Sequence, residues 1–410
     1  MQNSNYSANY NSEILSIFSI LKQGSNEVLI EDEFIKKLKR SQIKGIPLII
    51  KLGLDPTAPD IHIGHTIVLN KLRQFQDLGH VINLLIGDFT SIIGDPSGRN
   101  STRPLLTKEQ IKINSETYYD QIQKILNPKF LKILYNSTWY NKLGSYEIIN
   151  LSSHYTIARM IERQDFSNRF RKNIPIFIHE FLYPLIQGYD SVEIKADVEI
   201  GGTDQKFNLL VGRELQKEYG QEPQCVMTMP LLVGTDGIEK MSKSKNNYIG
   251  ISESPDSMFG KLMSISDSLM WKYYDLLSFK SIKELKILKH EIQNGKNPKD
   301  AKVALAKELI QRFHNAKLAE KAEENFNAQF CSGLVPQNIL EINLGYAPMN
   351  IVKILKESGL SSSNSEAQRN IQQGGIRIDN QRINDRSLCL NAGTYVVQLG
   401  KRKFVRVNLI

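Results

Sequence analysis

Pro47-Leu48-Ile49-Ile50-Lys51-Leu52 is a short apolar run that stops at Gly53, and its length and β-branched content read as a buried strand. Helical spacing follows at Ile67, Leu72 and Phe75 within 65–78, and Gly79 is placed to end that helix. Val81–Ile86 is then a second apolar run of strand length. Strand, helix and strand in succession form the unit of a parallel sheet. The alternation continues to about Tyr248, so the fold class is α/β. In an open parallel sheet, ligands sit beyond the carboxyl ends of the strands. His62, the stretch 87–98 and the stretch 201–205 all follow strand-like runs, which predicts three loops around one crevice.

From Ser254 to about Phe330 strand patterns vanish in favour of helical segments such as 301–313, rich in Lys, Glu, Leu and Ala, which predicts a separate helical domain. Leu344-Gly345-Tyr346-Ala347-Pro348 reads as a linker. After it, 351–358 reads as a helix, 361–365 caps a second helix running towards Gln373, and Gly374-Gly375 turns the chain into short strands at 376–378 and 395–399. Residues 350–410 hold ten Lys or Arg against four Asp or Glu, a net of +6 out of the chain's +9, so the basicity is concentrated at the C-terminus. That suits a polyanionic partner.

The 410 residues, 41% of them apolar, suffice for two or three cores. Cys225, Cys331 and Cys389 are too far apart to suggest a zinc site or a disulfide framework. No apolar run approaches the roughly 20 residues that span a bilayer. Met1 to Tyr10 has no basic residue, so neither a secretory signal nor an arginine-rich transit peptide is expected, and a cytoplasmic location is the default.

Two segments carry nucleotide chemistry. His62-Ile63-Gly64-His65 opens a helix, whose free amide hydrogens and partial positive charge suit anions; the imidazoles add donors, and Gly64 leaves room for a flat base. Alone, two histidines three apart would more often be a plain helix start. Lys240-Met241-Ser242-Lys243-Ser244 follows the turn Thr235-Asp236-Gly237, which predicts lysines on a mobile loop. Alone, such a run would be solvated surface. Their order, and Pro56-Thr57-Ala58-Pro59-Asp60 leading into the first, resemble the signature sequences of class I aminoacyl-tRNA synthetases.

Tyr183, Gln187 and Asp190 share one helix face at i, i+4 and i+7, among Phe181, Leu182, Leu185 and Ile186. With Ile93-Gly94-Asp95-Pro96-Ser97-Gly98 and Gly201-Gly202-Thr203-Asp204-Gln205, this stripe narrows the resemblance to the tyrosyl-tRNA synthetases of bacterial type. The resemblance implies that Asp55, Asp95, Tyr183, Gln187, Asp190 and Gln205 bind tyrosine, with Asp190 accepting a hydrogen bond from the substrate phenol. It implies that Thr57, His62, Gly64, His65, Asp204, Lys240 and Lys243 bind ATP, and that His62, His65, Lys240 and Lys243 are catalytic. Asp204, read locally, is equally a helix cap. Lys51 stands where many family members place a tyrosine beside the substrate phenol; it either reads the hydroxyl or points elsewhere, leaving more to Asp190.

Residues from about Met349 resemble a small RNA-binding module of ribosomal-protein type, with Arg369, Arg377, Arg382, Lys401, Arg402 and Lys403 as its basic surface. The layout implied is a Rossmann-like catalytic domain over 1–250 containing a dimer-forming insertion, an α-helical anticodon-binding domain over 251–345 and an α+β RNA-binding domain over 348–410. Its partners would be L-tyrosine, ATP with Mg²⁺, tRNA(Tyr) and a second copy of the chain, with no membrane, no tightly bound cofactor and no protein-held metal. The alternatives are a tryptophanyl-tRNA synthetase and a non-catalytic RNA-binding descendant.

Overall fold

A computed structural model describes residues 2–56, 60–96, 107–331, 340–345, 347–400 and 403–410. Its contacts divide the chain into two compact units, Met1–Phe313 and His314–Ile410. The division falls inside the helical stretch 251–345.

The first unit is built on a six-stranded sheet of β1 (Glu27–Leu29), β2 (Ile49–Leu54), β3 (Val81–Ile86), β4 (Leu131–Tyr135), β5 (Val198–Gly202) and β6 (Cys225–Met229), in the order β1-β6-β5-β2-β3-β4. All neighbouring strands are parallel except β1, which caps the edge antiparallel to β6. The order reverses between β5 and β2, which is the topological switch point of the sheet. β5 is buried over 198–201 and β2 over 50–52, as the apolar runs of a parallel sheet covered on both faces should be.

The helix joining β2 to β3 is Ile63–Asp77, starting two residues earlier than its apolar spacing indicates because His62 already serves as its N-cap. Gly79 turns the chain at φ 85, a conformation that favours glycine. Crossovers from β2 to β3 and from β5 to β6 leave the switch point in opposite directions, so the right-handed rule puts their helices on opposite faces. Two helices, Ile178–Ile194 and Lys206–Glu218, meet glycine to glycine: a Cβ on Gly188 would lie 3.0 Å from the Gly212 nitrogen. That approach carries the polar stripe of the first helix up against the sheet. Helices account for the regular structure over 255–313.

The second unit holds the helix Ala316–Cys331 and a five-stranded sheet, ordered β10-β9-β12-β13-β7, of β7 (Leu340–Leu344), β9 (Ile376–Ile378), β10 (Gln381–Ile383), β12 (Gly393–Leu399) and β13 (Lys403–Leu409). A small pair joins β8 (Met349–Asn350) to β11 (Cys389–Leu390). Helices Ile351–Glu357 and Asn364–Gln372 complete it, the second capped by Ser363, whose hydroxyl accepts from the Glu366 amide at 3.2 Å. The linker read at 344–348 begins one residue too early, because Leu344 ends β7 and pairs in parallel with Leu409. The pairing partner is 65 residues away in sequence, so a local reading misses it.

Candidate active site

The carboxyl ends of β2, β3, β5 and β6 open onto one cavity of about 1270 Å³. It is lined by Asp55, His62, Gly64, His65, Asp95, Tyr183, Gln187, Asp190, Asp204, Gln205, Lys240 and Lys243, so the three predicted loops and the lysine segment share one crevice. Thr57 lies outside the described residues, as do Lys401 and Arg402.

On one side of the cavity sits the N-terminus of helix Ile63–Asp77. His65 Nδ1 accepts from the His62 backbone N–H at 3.2 Å, which leaves the ring proton on Nε2. The two imidazoles lie with centroids 3.8 Å apart and planes tilted by 37°, and His62 Nδ1 is buried without a hydrogen-bond partner. Burial above all, then the neighbouring ring and the Lys243 ammonium, pushes His62 far below the usual histidine range; burial and Lys243 bring His65 down to about 4. Both rings are therefore neutral near pH 7. A Cβ on Gly64 would lie 2.9 Å from His62 Nδ1, so only glycine keeps this surface open.

The lysine segment reaches the same corner through backbone pairing. Ile63 donates to the Ile249 carbonyl and Ile251 to the Ile61 carbonyl, each at 2.9 Å, which stitches the first signature to the chain just after the second. Asn247, almost fully buried, accepts from the Ser242 amide at 2.8 Å and donates to Asp236 at 2.7 Å. These bonds tie the backbone of the segment to its surroundings, and Lys240 and Lys243 both have partners. Lys240 meets Asp204 at 2.7 Å, and Lys243 donates to the Asp60 carbonyl. Asp204 does not cap the next helix: it sits in a short 3-10 turn, Thr203–Gln205, and the helix starts at Lys206.

Opposite lies the polar face of helix Ile178–Ile194. Tyr183 donates to Asp55 at 2.9 Å, and Asp55 also accepts from Thr90 at 2.7 Å. Gln205 donates to Asp95 at 2.8 Å, while the Asn208 amide group bridges the carbonyl oxygens of Gln187 and Gln205 at 3.0 Å each. Deeper in, the Asp190 carboxylate accepts from Trp139 Nε1 at 3.0 Å and from Asn136 at 3.3 Å. Burial lifts its pKa to about 7, against the opposing pull of the Lys51 ammonium and these donors. Lys51 itself does not line the cavity: its Nζ lies 2.8 Å from Glu199 on β5.

Sequence reasoning missed Thr90, Asn136, Trp139 and Asn208. Asn136 holds the Phe89 amide, Thr90 and Asp190 together and is fully buried. Its one visible signal is position, the first residue after β4, where strand ends meet the crevice.

In the second unit, Arg377 and Arg382 are cross-strand partners on β9 and β10, and both are exposed. Ile376 and Ile378 on either side of Arg377 are buried, so the arginines share the outer face of the sheet. Arg369 and Lys403 are exposed as well, and the charges of both reach Glu366 and lower its pKa, after its bonds to Ser362.

An open parallel sheet with its loops gathered at the switch point defines a nucleotide-binding α/β fold. The chain belongs to the tRNA synthetases of class I that serve tryptophan and tyrosine, a family description that matches residues 44–331. Its curated relatives point to one branch. A tyrosine–tRNA ligase of Bordetella avium is 65% identical over 97% of both chains. Another, of Cupriavidus pinatubonensis, is 60% identical over 97% of this chain and 96% of its own. Residues 349–393 match the S4 domain. In fold, the chain is similar to a C-terminally truncated mitochondrial tyrosyl-tRNA synthetase of Aspergillus nidulans, with a TM-score of 0.64, 20% identity and coverage of 80% of this chain and all of that one. It is also similar to a tyrosyl-tRNA synthetase of Archaeoglobus fulgidus complexed with L-tyrosine, with a TM-score of 0.61, 22% identity and coverage of 75% and 99%.

Proposed function

We propose that the crevice activates L-tyrosine with ATP and then esterifies the product to tRNA(Tyr). The reaction is tyrosine–tRNA ligation, and the observation that carries it is the meeting of the polar face with Tyr183, Gln187 and Asp190 and the helix N-terminus at His62 to His65 in one cavity. First the tyrosine carboxylate attacks the α-phosphorus of ATP, which enters as its Mg²⁺ complex, and pyrophosphate leaves. A terminal ribose hydroxyl of the tRNA then takes the acyl group and AMP departs. Catalysis is alignment and charge stabilisation, with no nucleophile from the protein.

Each residue has a role that its surroundings support. Neutral His65, with its proton on Nε2, is a donor to phosphate oxygens, and His62 lies beside it. Lys240 and Asp204 exchange their mutual ion pair for ligand contacts, Lys240 to phosphate and Asp204 to the ribose. Lys243 leaves the Asp60 carbonyl for the β and γ oxygens as the loop closes. Gly64 admits the adenine, and Thr57 is assigned to the triphosphate by its place in the signature. Asp55, Asp95, Tyr183, Gln187 and Gln205 form the ammonium and carboxylate end of the amino-acid pocket, and Asp190 takes the phenol.

Beyond the crevice, Arg369, Arg377, Arg382, Lys401, Arg402 and Lys403 are assigned to tRNA phosphates, and the helices of 251–345 to the anticodon region. The exposed Ile149, Ile157, Phe170 and Ile178, in the stretch of chain between β4 and β5, support a homodimer through that insertion. Among the described residues no helix is long and apolar enough to cross a membrane, and the cytoplasm is the proposed location. The test is ATP–pyrophosphate exchange with tyrosine, tryptophan and phenylalanine in parallel. Tyrosine alone should drive it; exchange driven equally by tryptophan overturns the assignment.

A further inference from the structure

Lys51 lies mid-strand on β2, fully buried at the switch point, and its register partner on β5 is Glu199, also buried. The ammonium meets three oxygens: Glu199 Oε1 at 2.8 Å, Ser191 Oγ at 2.7 Å and the Gln187 carbonyl at 2.9 Å. Ser191 closes the triangle by donating to Glu199 Oε2 at 3.1 Å. The neighbouring helix leaves room for this cluster at Gly212, where a Cβ would lie 3.1 Å from Ser191 Oγ and 3.3 Å from Glu199 Oε2.

Two of those three oxygens belong to helix Ile178–Ile194, and they bracket Asp190 in sequence. Stability does not account for the arrangement, since apolar side chains of similar volume generally join a helix to a sheet as well as a buried ion pair does. What an ion pair adds is a shared anchor: the three donors of one ammonium tie two oxygens of the helix and one of β5 to a single point. Its field also favours the ionised form of the adjoining Asp190 carboxyl.

We propose that Lys51 is a positioning residue for tyrosine specificity: by fastening Gln187 and Ser191 to Glu199 it sets where Asp190 meets the substrate phenol, without touching the substrate. This rests on the tyrosine reading of the pocket.

The experiment compares wild type, Lys51→Met and the double variant Lys51→Met/Glu199→Gln, which removes the uncompensated buried carboxylate and so guards against simple misfolding. Exchange is measured with tyrosine and with phenylalanine, alongside thermal melting. In the folded double variant the KM for tyrosine should rise about tenfold and the tyrosine-to-phenylalanine ratio of kcat/KM should fall about tenfold, the scale of one misplaced hydrogen bond, while the KM for ATP stays put. An unchanged ratio, with or without a lower melting temperature, overturns the proposal. Asp190→Asn, run in parallel, separates the two readings: if it lowers the ratio while the double variant does not, only the role of Lys51 falls. If it leaves the ratio intact, the pocket reading falls and this proposal with it.

Discussion

The two compact units solve opposite problems with their charges. The first buries them in pairs: Lys51 with Glu199, Arg169 with Glu180 and Arg163 with Asp165, all with side chains no more than 7% exposed. In the second, the only buried polar residues among those described are Ser358 and Ser361, and the arginines stand on the outer face of the sheet. A crevice that aligns two small reactants needs polar groups held rigidly inside low-dielectric walls. A surface that meets a polyanion needs exposed charge over an apolar core.

If that contrast is right, removing one arginine should have very different consequences in the two units. Arg169→Ala, which strands Glu180 in the interior, should cost about 3–5 kcal/mol in chemical denaturation. Arg377→Ala should fall within about 0.5 kcal/mol. Comparable losses would erase the distinction.

Next in size is chemistry. Lys243→Ala should slow pyrophosphate exchange by about 3 kcal/mol in the activation transition state, on the order of a hundredfold, by analogy with loss of one oxyanion donor. Near-normal exchange would remove the loop from catalysis.

Deleting residues 340–410, so that β7 is not left without its partner β13, should spare exchange and weaken tRNA charging about tenfold or more, with a reduced dependence on salt. Charging that is unchanged at ordinary salt would deny the module an RNA role.

The smallest expected effect is the pH response of Asp190. With its pKa raised to about 7 mainly by burial, the folded chain keeps a proton that the unfolded chain has released. Its contribution to stability is therefore full below about pH 4 and lost as pH rises through about 7. Binding runs the other way, because the carboxylate is the better acceptor for a phenol. The KM for tyrosine should fall a few-fold between about pH 6 and about pH 8, with the KM for ATP flat. A pH-independent KM for tyrosine would mean that Asp190 does not read the hydroxyl in its ionised form.

Much of this was legible in the sequence, for reasons specific to each element. β3 and the helix Ile63–Asp77 are written in local apolar periodicity and a glycine stop, and the Tyr183, Gln187 and Asp190 stripe in helical spacing. What stayed hidden depends on distant partners. Strand β7 exists because β13 pairs with it from 65 residues away. Asn136 and Trp139 join the site only because β4 ends beside Asp190, and neither an Asn just past a strand nor a Trp in the one-turn helix Ser137–Tyr140 has a periodicity to betray it. Lys51 reads as an oddity inside a strand until Glu199 is set beside it by the β2–β5 register.

The central claim, one crevice holding an amino acid and a nucleotide side by side, is tested most directly by calorimetric titration of a non-hydrolysable tyrosyl-adenylate analogue. A single class of site is expected, bound more tightly than tyrosine or ATP alone and weakened both by Asp190→Asn and by Asp204→Asn. An affinity insensitive to either substitution would place the two halves of the ligand in different parts of the molecule and contradict the account.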